Sequence, residues 1–347
     1  MTYSTITPNI PHFRTTISDR TQARLDLPTG FRFARYELTL LVQEPMPLPA
    51  HKDNLFRGGF GYAFKSMACA WQPPRASCTG CPHTEKCAYA RIFETPLPAG
   101  SPVLKAQKNI PAPYIIHAPR DRRIHYHPGE LISFQLTLMG WAIDALPYFL
   151  YAFQELGRRG LGRNRAAYEL LLTTFFSQQD ARRVLILRDN AISGDYARHY
   201  DQVSIDWPSA PSYPVRQISL DLRTPTQIKH QGNILRTPPP FSVVIRTLMR
   251  RLSTLALFYG PGKWELDYRK WVELAETITI HDHQMHWVNW NRYSTRQKQH
   301  VPLGGLMGRV TYRGDLTPFL PLLHLGQFIH LGKGIVFGRG AYNLLLR

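Results

Sequence analysis

Alternation of apolar and polar side chains predicts the first strand of the chain. Between residues 33 and 42, every second position from Tyr36 onward is apolar, which is the period of a half-buried β-strand. An amphipathic stretch around residues 55–67 follows, and its spacing predicts a helix that buries one face. The same combination recurs later, with a strand at 217–222 and a long amphipathic helix at 242–259.

Each of these strand–helix pairs is followed by one repeated pattern. The pattern is a strand, a helical stretch, a basic glycine-rich loop and a closing strand. Its first copy occupies 131–139, 144–156, 157–165 and 167–172, and its second copy occupies 308–312, 317–329, 332–340 and 341–346. Two copies are too few for a solenoid and indicate two related domains.

With one further strand, each half has the order β-α-β-β-α-β, the ferredoxin-like unit that RNA-recognition modules also use. We therefore predict an α+β protein of two tandem ferredoxin-like domains, at residues 1–200 and 210–347. The divide between them is expected from Asp195 to Val215, where Asp, Ser and Pro accumulate.

Charge and aromatic content indicate the kind of partner. The chain has 42 Lys+Arg against 24 Asp+Glu, a net charge of +18, which favours a polyanionic partner such as nucleic acid or an anionic membrane. The 17 Tyr, 17 Phe and 7 Trp favour nucleic acid, because bases stack on aromatic side chains. Residues 1–20 do not resemble a signal peptide, and the most apolar stretch, 131–153, is interrupted by Gln135, Asp144 and Pro147. A cytoplasmic protein without a membrane partner is therefore expected.

The four cysteines lie close together, at Cys69, Cys78, Cys81 and Cys87. In a reducing compartment this clustering favours a metal site over disulfides. Four thiolates suit zinc, with His83 as an alternative ligand, and an iron–sulfur cluster is the second candidate. We predict a zinc insertion at about residues 67–93 of the first domain. Its metal would be structural, because four protein ligands leave no open position for catalysis.

The loop at 332–340 combines glycine with positive charge. Its glycines and cations are Gly332, Gly334, Gly338, Gly340, Lys333 and Arg339. Glycine lets a backbone approach a ligand closely and aim its N–H groups at phosphates, so we predict contacts to an RNA backbone. A simple turn after a helix is the alternative. The corresponding loop of the first copy supplies Arg158, Arg159 and Arg163, which are predicted to bind RNA as well.

Four segments together resemble a known family. They are Leu-Phe-Arg-Gly-Gly-Phe-Gly at 55–61, Cys-Ala-Tyr-Ala-Arg-Ile-Phe at 87–93, Arg-Tyr-Ser-Thr-Arg-Gln-Lys at 292–298 and the loop at 332–340. In this order they are similar to the pre-crRNA-processing endoribonucleases of CRISPR systems, which belong to the superfamily of repeat-associated RNA-binding (RAMP) proteins. The glycine-rich loop is the hallmark of this family, and the cysteine insertion is typical of one branch.

The resemblance implies that the protein binds a CRISPR repeat RNA and cleaves it once, to give crRNA. It implies that no metal takes part in the chemistry, since the RNA's own 2′-hydroxyl attacks the phosphate and leaves a cyclic phosphate and a 5′-hydroxyl. Subunits of a CRISPR effector complex are further partners to expect. A non-catalytic guide-RNA-binding subunit of such a complex is the main alternative. A zinc-containing DNA-binding regulator fits less well, because no recognition helix stands beside the cysteines at a finger-like spacing.

The resemblance also directs the choice of catalytic candidates. A base near neutrality favours histidine, and His51 precedes the first predicted helix, where family members place a catalytic histidine. Lys52 and Arg57 are expected to stabilise the anionic transition state or to bind RNA. The alternative for His51 is an exposed loop histidine without a role. Tyr293 and Arg296 are secondary catalytic candidates from the motif match.

A second group of histidines precedes a strip of aromatic, amide and cationic residues. His281, His283 and His286 are interpreted as part of a strand near the RNA, with a metal site as the alternative. The strip after them contains Trp287, Asn289, Trp290, Asn291, Arg292, Tyr293, Arg296 and Lys298. This mixture suits base stacking and phosphate pairing, and Arg292 and Lys298 are predicted RNA contacts. A core strand with its aromatic residues turned inward is the alternative.

Overall fold

The structure is a computed structural model. It describes residues 24–71, 73–74, 77–78, 80–95, 110–178, 180–188, 191–193, 198–202, 213–289, 291–294, 299–302 and 304–347. For 291–294 and 299–302 the description covers the backbone.

The first half folds around one antiparallel sheet. Its elements in chain order are β1 (Arg32–Val42), β2 (Met46–Pro47), α1 (Asp53–Ala68), α2 (Ala88–Phe93), β3 (Tyr114–His117), β4 (His125–Tyr126), β5 (Leu131–Met139), α3 (Leu146–Arg159), β6 (Tyr168–Phe176), β7 (Arg183–Arg188), β8 (Ala191–Ile192) and β9 (Asp201–Gln202). The strand order is β3-β5-β1-β6-β7-β8, and β9 pairs with the start of β1. Helices α1 and α3 pack together and cover the sheet through a stripe on α1 formed by Phe56, Phe60 and Phe64.

The second half repeats this arrangement. Its elements are β10 (Gln217–Thr226), β11 (Lys229–His230), β12 (Asn233–Ile234), α4 (Phe241–Tyr259), α5 (Tyr268–Glu276), β13 (Thr279–Val288), β14 (Asn291–Ser294), β15 (Gln299–Pro302), β16 (Gly305–Arg313), α6 (Leu320–Ile329) and β17 (Tyr342–Leu346). The strand order β13-β16-β10-β17 corresponds to β3-β5-β1-β6 of the first half. Each half therefore has the β-α-β-β-α-β order, and the predicted α+β fold of two ferredoxin-like units is confirmed.

Most predicted elements occur with shifted ends. The strand predicted at 167–172 runs on to Phe176. The helical stretch predicted at 317–329 divides into a 3₁₀ turn, Thr317–Phe319, and α6. Both parts have a proline in their first turn, where its missing N–H has no helical partner to lose. Helix α2, helix α5 and the β14–β15 ribbon had no counterpart among the predicted elements.

The two halves share buried contacts. The rings of Phe33 and Phe328 lie 4.8 Å apart across the boundary. The Trp141 indole N–H donates to the Phe258 carbonyl at 3.3 Å. Gly140 stands where an added Cβ would overlap the Tyr259 carbonyl. This packing holds the two sheets in one orientation, with a cleft between them. Among the residues described, no helix has the length and apolarity needed to cross a membrane.

Candidate functional site

His51 lies exposed at the entrance to α1. The carboxylate of Asp53, in the first turn of this helix, interacts with His51, Arg120 and Arg339. Burial raises the pKa of Asp53, and these cations oppose the shift. Because Arg339 comes from the loop at 332–340, the second domain contributes a positive charge beside the predicted base.

Lys52 occupies a different position from the one expected of a phosphate contact. Its side chain is fully buried, and its Nζ donates to Asp121 at 2.8 Å. The Tyr126 hydroxyl donates to the other oxygen of the same carboxylate at 2.7 Å. Although burial works in the opposite direction, these hydrogen bonds hold the pKa of Asp121 below its usual value. In this position the ammonium attaches the start of α1 to the segment around β4.

Arg57 is also placed in an unexpected way. Its guanidinium lies 4.0 Å from the ring centre of Phe93 and 5.3 Å from that of Phe337. One ring belongs to the end of α2 and the other to the loop at 332–340. Arg57 therefore connects the first domain with the second.

The glycine-rich loop is held by its own hydrogen bonds. The backbone N–H of Leu331 donates to Gly340 at 2.9 Å, and that of Lys333 donates to Gln227 at 2.9 Å. Gly332, Gly334, Gly338 and Gly340 all have positive φ, from 69° to 96°, which side chains with a Cβ adopt at a cost. Lys333 is exposed, whereas Arg339 is almost fully buried.

A cleft of about 560 Å³ lies between the two sheets. Its lining includes Arg35, His117, Arg120, Arg223, Gln327 and His330. Burial lowers the pKa of His330 to about 3 and that of His117 well below the usual value. The two imidazoles are therefore neutral at pH 7, and they act as hydrogen-bonding groups in the wall of the cleft. The sequence analysis did not select either histidine, although His330 directly precedes the glycine-rich loop.

The other predicted cations of the first domain lie at the end of α3 and in the turn that follows it. Arg158 and Arg159 form ion pairs with Glu155 at 3.2 Å and 2.7 Å on the exposed face of α3. Arg163 is exposed in the following turn. An added Cβ on Gly162 would lie 3.0 Å from the Pro47 carbonyl, so this turn packs against the segment that leads to His51.

The strip after β13 is described in part. Arg292 and Tyr293 lie in β14, where Tyr293 pairs with His300 of β15. Trp290, Arg296 and Lys298 lie outside the described residues. His281, His283 and His286 are exposed on β13, at the edge of the second sheet.

The four cysteines and His83 line a single pocket of about 240 Å³. Cys69 ends α1 and Cys87 begins α2, so the pocket lies between these helices. Within the part of the chain that the structure describes, no group of three or more His, Cys, Asp or Glu residues stands close enough to hold a metal ion. The thiols and the imidazole around the pocket are nevertheless a donor set that zinc accepts.

Residues 220–342 match the family model described as CRISPR-associated endoribonuclease Cas6. The matched segment, called the Cas6 domain below, includes the glycine-rich loop, as the resemblance found in the sequence implied. Residues 31–196 match a second family model, described as an N-terminal domain. No curated protein matches the chain.

Solved Cas6 structures have the same fold. A Thermus thermophilus Cas6 has a TM-score of 0.50 and 14% identity, covering 92% of this chain and 100% of that one. A Cas6 product complex has a TM-score of 0.51 and 15% identity, covering 90% and 100%. A partial Cas6-RT-Cas1–Cas2 complex has a TM-score of 0.55 and 13% identity, covering 92% of this chain but 47% of that one. The present chain thus spans about half the length of that relative, and the likeness shows a shared fold.

Proposed function

We propose that this protein is an endoribonuclease that cleaves CRISPR repeat RNA to give mature guide RNAs. The observation that carries the proposal is the meeting of three elements: the exposed His51 at the start of α1, the cations Arg120 and Arg339 near it, and the Cas6-family loop that supplies Arg339. One of the similar structures is a Cas6 product complex, which supports a catalytic role for a protein of this fold.

The chemistry assigned to this site is transfer within the RNA strand. The 2′-oxygen attacks the adjacent phosphorus, the bond to the 5′-oxygen breaks, and a 2′,3′-cyclic phosphate and a 5′-hydroxyl result. His51 takes the proton of the 2′-hydroxyl as the general base, and water at the exposed site supplies the proton that the leaving 5′-oxygen takes up. Arg120, together with the N-terminal end of α1, stabilises the negative charge that develops on the phosphate oxygens. No metal ion is needed for these steps.

The RNA is assigned to the positive surface around the helix entrance and the cleft. Lys333 and Arg163 are exposed and stand on the two glycine-rich loops, so they suit contacts with phosphates. Arg223 lies on the cleft wall and is exposed. The roles of Tyr293, Arg292, Arg296 and Lys298 stay predictions, as does the direct role of Lys52 in catalysis.

The cysteine pocket is proposed to hold structural zinc. Zinc there would join the end of α1 to the start of α2, through Cys69 and Cys87, and would fix the loop that carries Cys78 and Cys81. Such a metal supplies folding energy and takes no part in cleavage.

Cleavage of a repeat RNA from the neighbouring array in EDTA tests the function. We expect cutting in EDTA, no cutting of a substrate with a 2′-deoxy nucleotide at the scissile position, and a rate about 10²–10⁴-fold lower for His51→Ala. His127→Ala, which removes another exposed histidine from a turn of the same domain, is the matched control.

A non-catalytic guide-RNA-binding subunit is the alternative, since the ferredoxin-like fold serves both functions. Tight binding of the repeat without cutting would support that alternative and reject the nuclease. Cutting that persists in His51→Ala would keep the nuclease but move the base to another residue. Association with CRISPR effector subunits is a further expectation, which co-purification with the products of the neighbouring genes tests.

A further inference from the structure

Three segments that are distant in the sequence meet at the side chain of Arg57. They are the first turns of α1, the end of α2 that follows the cysteine pocket, and the glycine-rich loop of the Cas6 domain. Arg57 lies between the rings of Phe93 and Phe337. An arginine is suited to this place, because its planar guanidinium stacks on aromatic faces, which a lysine ammonium does not.

The ring of Phe93 packs against a glycine of α1. An added Cβ on Gly61 would overlap the Phe93 ring, so only glycine leaves room for it at this point of the helix. The same ring stacks on Tyr114 at 6.0 Å with 19° between the planes, and on Tyr89 at 5.0 Å with 22°. The ring of Phe93 is therefore held in place by contacts with Gly61, Tyr89 and Tyr114, in addition to its contact with Arg57.

The position of Phe337 is fixed by the loop. Phe337 lies in a 3₁₀ turn whose flanking residues, Gly334 and Gly338, are both left-handed. An added Cβ on Gly338 would lie 3.0 Å from the Ile116 carbonyl, so the turn rests directly on β3 of the first domain. The Thr224 hydroxyl donates to the Gly338 carbonyl at 3.1 Å and fastens the same turn to β10.

The surroundings of Arg57 differ from those of a phosphate ligand. Its Nε is buried without a hydrogen-bond partner, next to the buried hydroxyl of Tyr114. Burial raises the pKa of Tyr114 to about 12, although the charge of Arg57 works against the shift. Burial of Nε removes one edge of the guanidinium from the two-point contact that an exposed arginine makes with a phosphate.

The segment formed by α2 and the residues directly after it makes further contacts near the second domain. The Thr95 and Tyr259 hydroxyls are 2.8 Å apart. The Arg91 guanidinium lies 4.3 Å from the ring centre of Trp141, whose indole N–H donates to the second domain. The segment after the cysteine pocket thus lies between the two domains.

We infer that Arg57 is a positioning residue that locks the glycine-rich loop of the Cas6 domain onto α1 and α2. By holding Phe337, it keeps Arg339 of that loop beside the start of α1, where the proposed base stands. The expected effect on cleavage rests on the proposed function. The contact by which Arg57 holds the loop is a property of the folded chain and does not depend on that function. It also explains the sequence 55–61 as a packing motif, in which Arg57 and Gly61 receive two aromatic rings.

Arg57→Lys and Phe337→Leu test the inference, with Lys333→Gln as a matched control that removes a cation from the exposed part of the same loop. Hydrogen exchange is measured on the RNA-free protein over residues 331–341. We expect faster exchange there in both test variants, no such change in Lys333→Gln, and a double variant no faster than the single ones. Cleavage at saturating RNA should fall about tenfold to a hundredfold in the test variants, because small displacements of a reacting geometry are costly.

The salt dependence of RNA binding separates positioning from phosphate binding. Loss of one phosphate contact lowers the slope of log K against log salt by about one, which we expect for Lys333→Gln and not for Arg57→Gln or Phe337→Leu. Unchanged exchange in Phe337→Leu, or a salt slope that Arg57→Gln lowers by about one, would overturn the inference. Hydrogen exchange is measured without RNA and does not depend on cleavage. Absence of nuclease activity would therefore reject the proposed function, and the exchange data would still test whether Arg57 holds the loop.

Discussion

The imidazoles of His117 and His330 face each other edge to face, 4.8 Å apart, across the boundary between the two ferredoxin-like domains. His117 Nε2 shares a hydrogen bond with the Thr137 hydroxyl at 2.9 Å, and His330 Nδ1 donates to the Arg339 carbonyl at 2.8 Å. His330 thereby ties the end of α6 to the far side of the glycine-rich loop.

This pair predicts a loss of stability in acid. Burial depresses both pKa values, that of His330 to about 3, although the hydrogen bond to the Arg339 carbonyl opposes the shift of His330. The cations Arg35 and Arg120 lower both pKa values further. Below the ordinary histidine pKa of about 6.5, the unfolded chain therefore binds protons that these two histidines do not bind in the folded state. The contribution of His330 is fully present above about pH 6.5, and it decreases as the pH falls toward about 3, by up to about 1.4 kcal/mol per pH unit. His117 adds a loss in the same direction.

Urea unfolding of His330→Asn between pH 4 and pH 8 checks this prediction. Asparagine keeps a donor for the Arg339 carbonyl. We expect a shallower decrease of the free energy of unfolding in acid, and His281→Asn, on the exposed edge strand, is the control. If the free energy of unfolding of His330→Asn falls as steeply in acid as that of the wild type, groups other than His330 cause the acid loss.

The Lys52–Asp121 ion pair predicts an asymmetry between its two partners. Asp121→Asn leaves a buried ammonium without its counter-charge and should lower the free energy of unfolding by about 1–3 kcal/mol. Lys52→Met leaves a carboxylate that is 41% exposed and can be hydrated, so a smaller loss is expected. Denaturant unfolding of both variants measures the difference. Equal losses would mean that the pair is not buried from solvent on the lysine side.

Glycines of α1 give a matched test of helix packing. Gly61→Ala should destabilise the protein by about 1–3 kcal/mol, because the added methyl group displaces the Phe93 ring. Gly58→Ala, three residues earlier in the same helix, meets open space and should stabilise it by up to about 1 kcal/mol through helix propensity. Thermal unfolding of the two variants should move in opposite directions. A gain for both would mean that Phe93 moves aside freely.

The proposed zinc site predicts a bound metal. Elemental analysis of the purified protein should find close to one zinc per chain, and Cys78→Ser or Cys81→Ser should lower that content. Loss of the metal should make α2 more accessible to protease, since the pocket joins α1 to α2. Iron with visible absorption would indicate the iron–sulfur alternative instead. A protein that carries neither metal would reject the site.

The sequence by itself determined the order of the elements. Alternation at period two and amphipathic spacing at period 3.6 are local properties, so the strand at 131–139 and the helix at 242–259 could be read from neighbouring residues. Because the same order occurs twice, the sequence also determined the class of fold. The elements it missed, such as α2 and α5, are short, with six and nine residues.

Only the tertiary structure decided what the candidate residues contact. The sequence placed Lys52 beside His51, before the first helix, and Arg57 within that helix, and all three were expected to act in catalysis or RNA binding. Burial of Lys52 depends on Asp121, and the stacking of Arg57 depends on Phe337, which is far away in the chain. Such contacts arise when two domains pack, and no local pattern encodes them. For the same physical reason the sequence could nominate the glycine-rich loop but could not place Arg339 beside the start of α1.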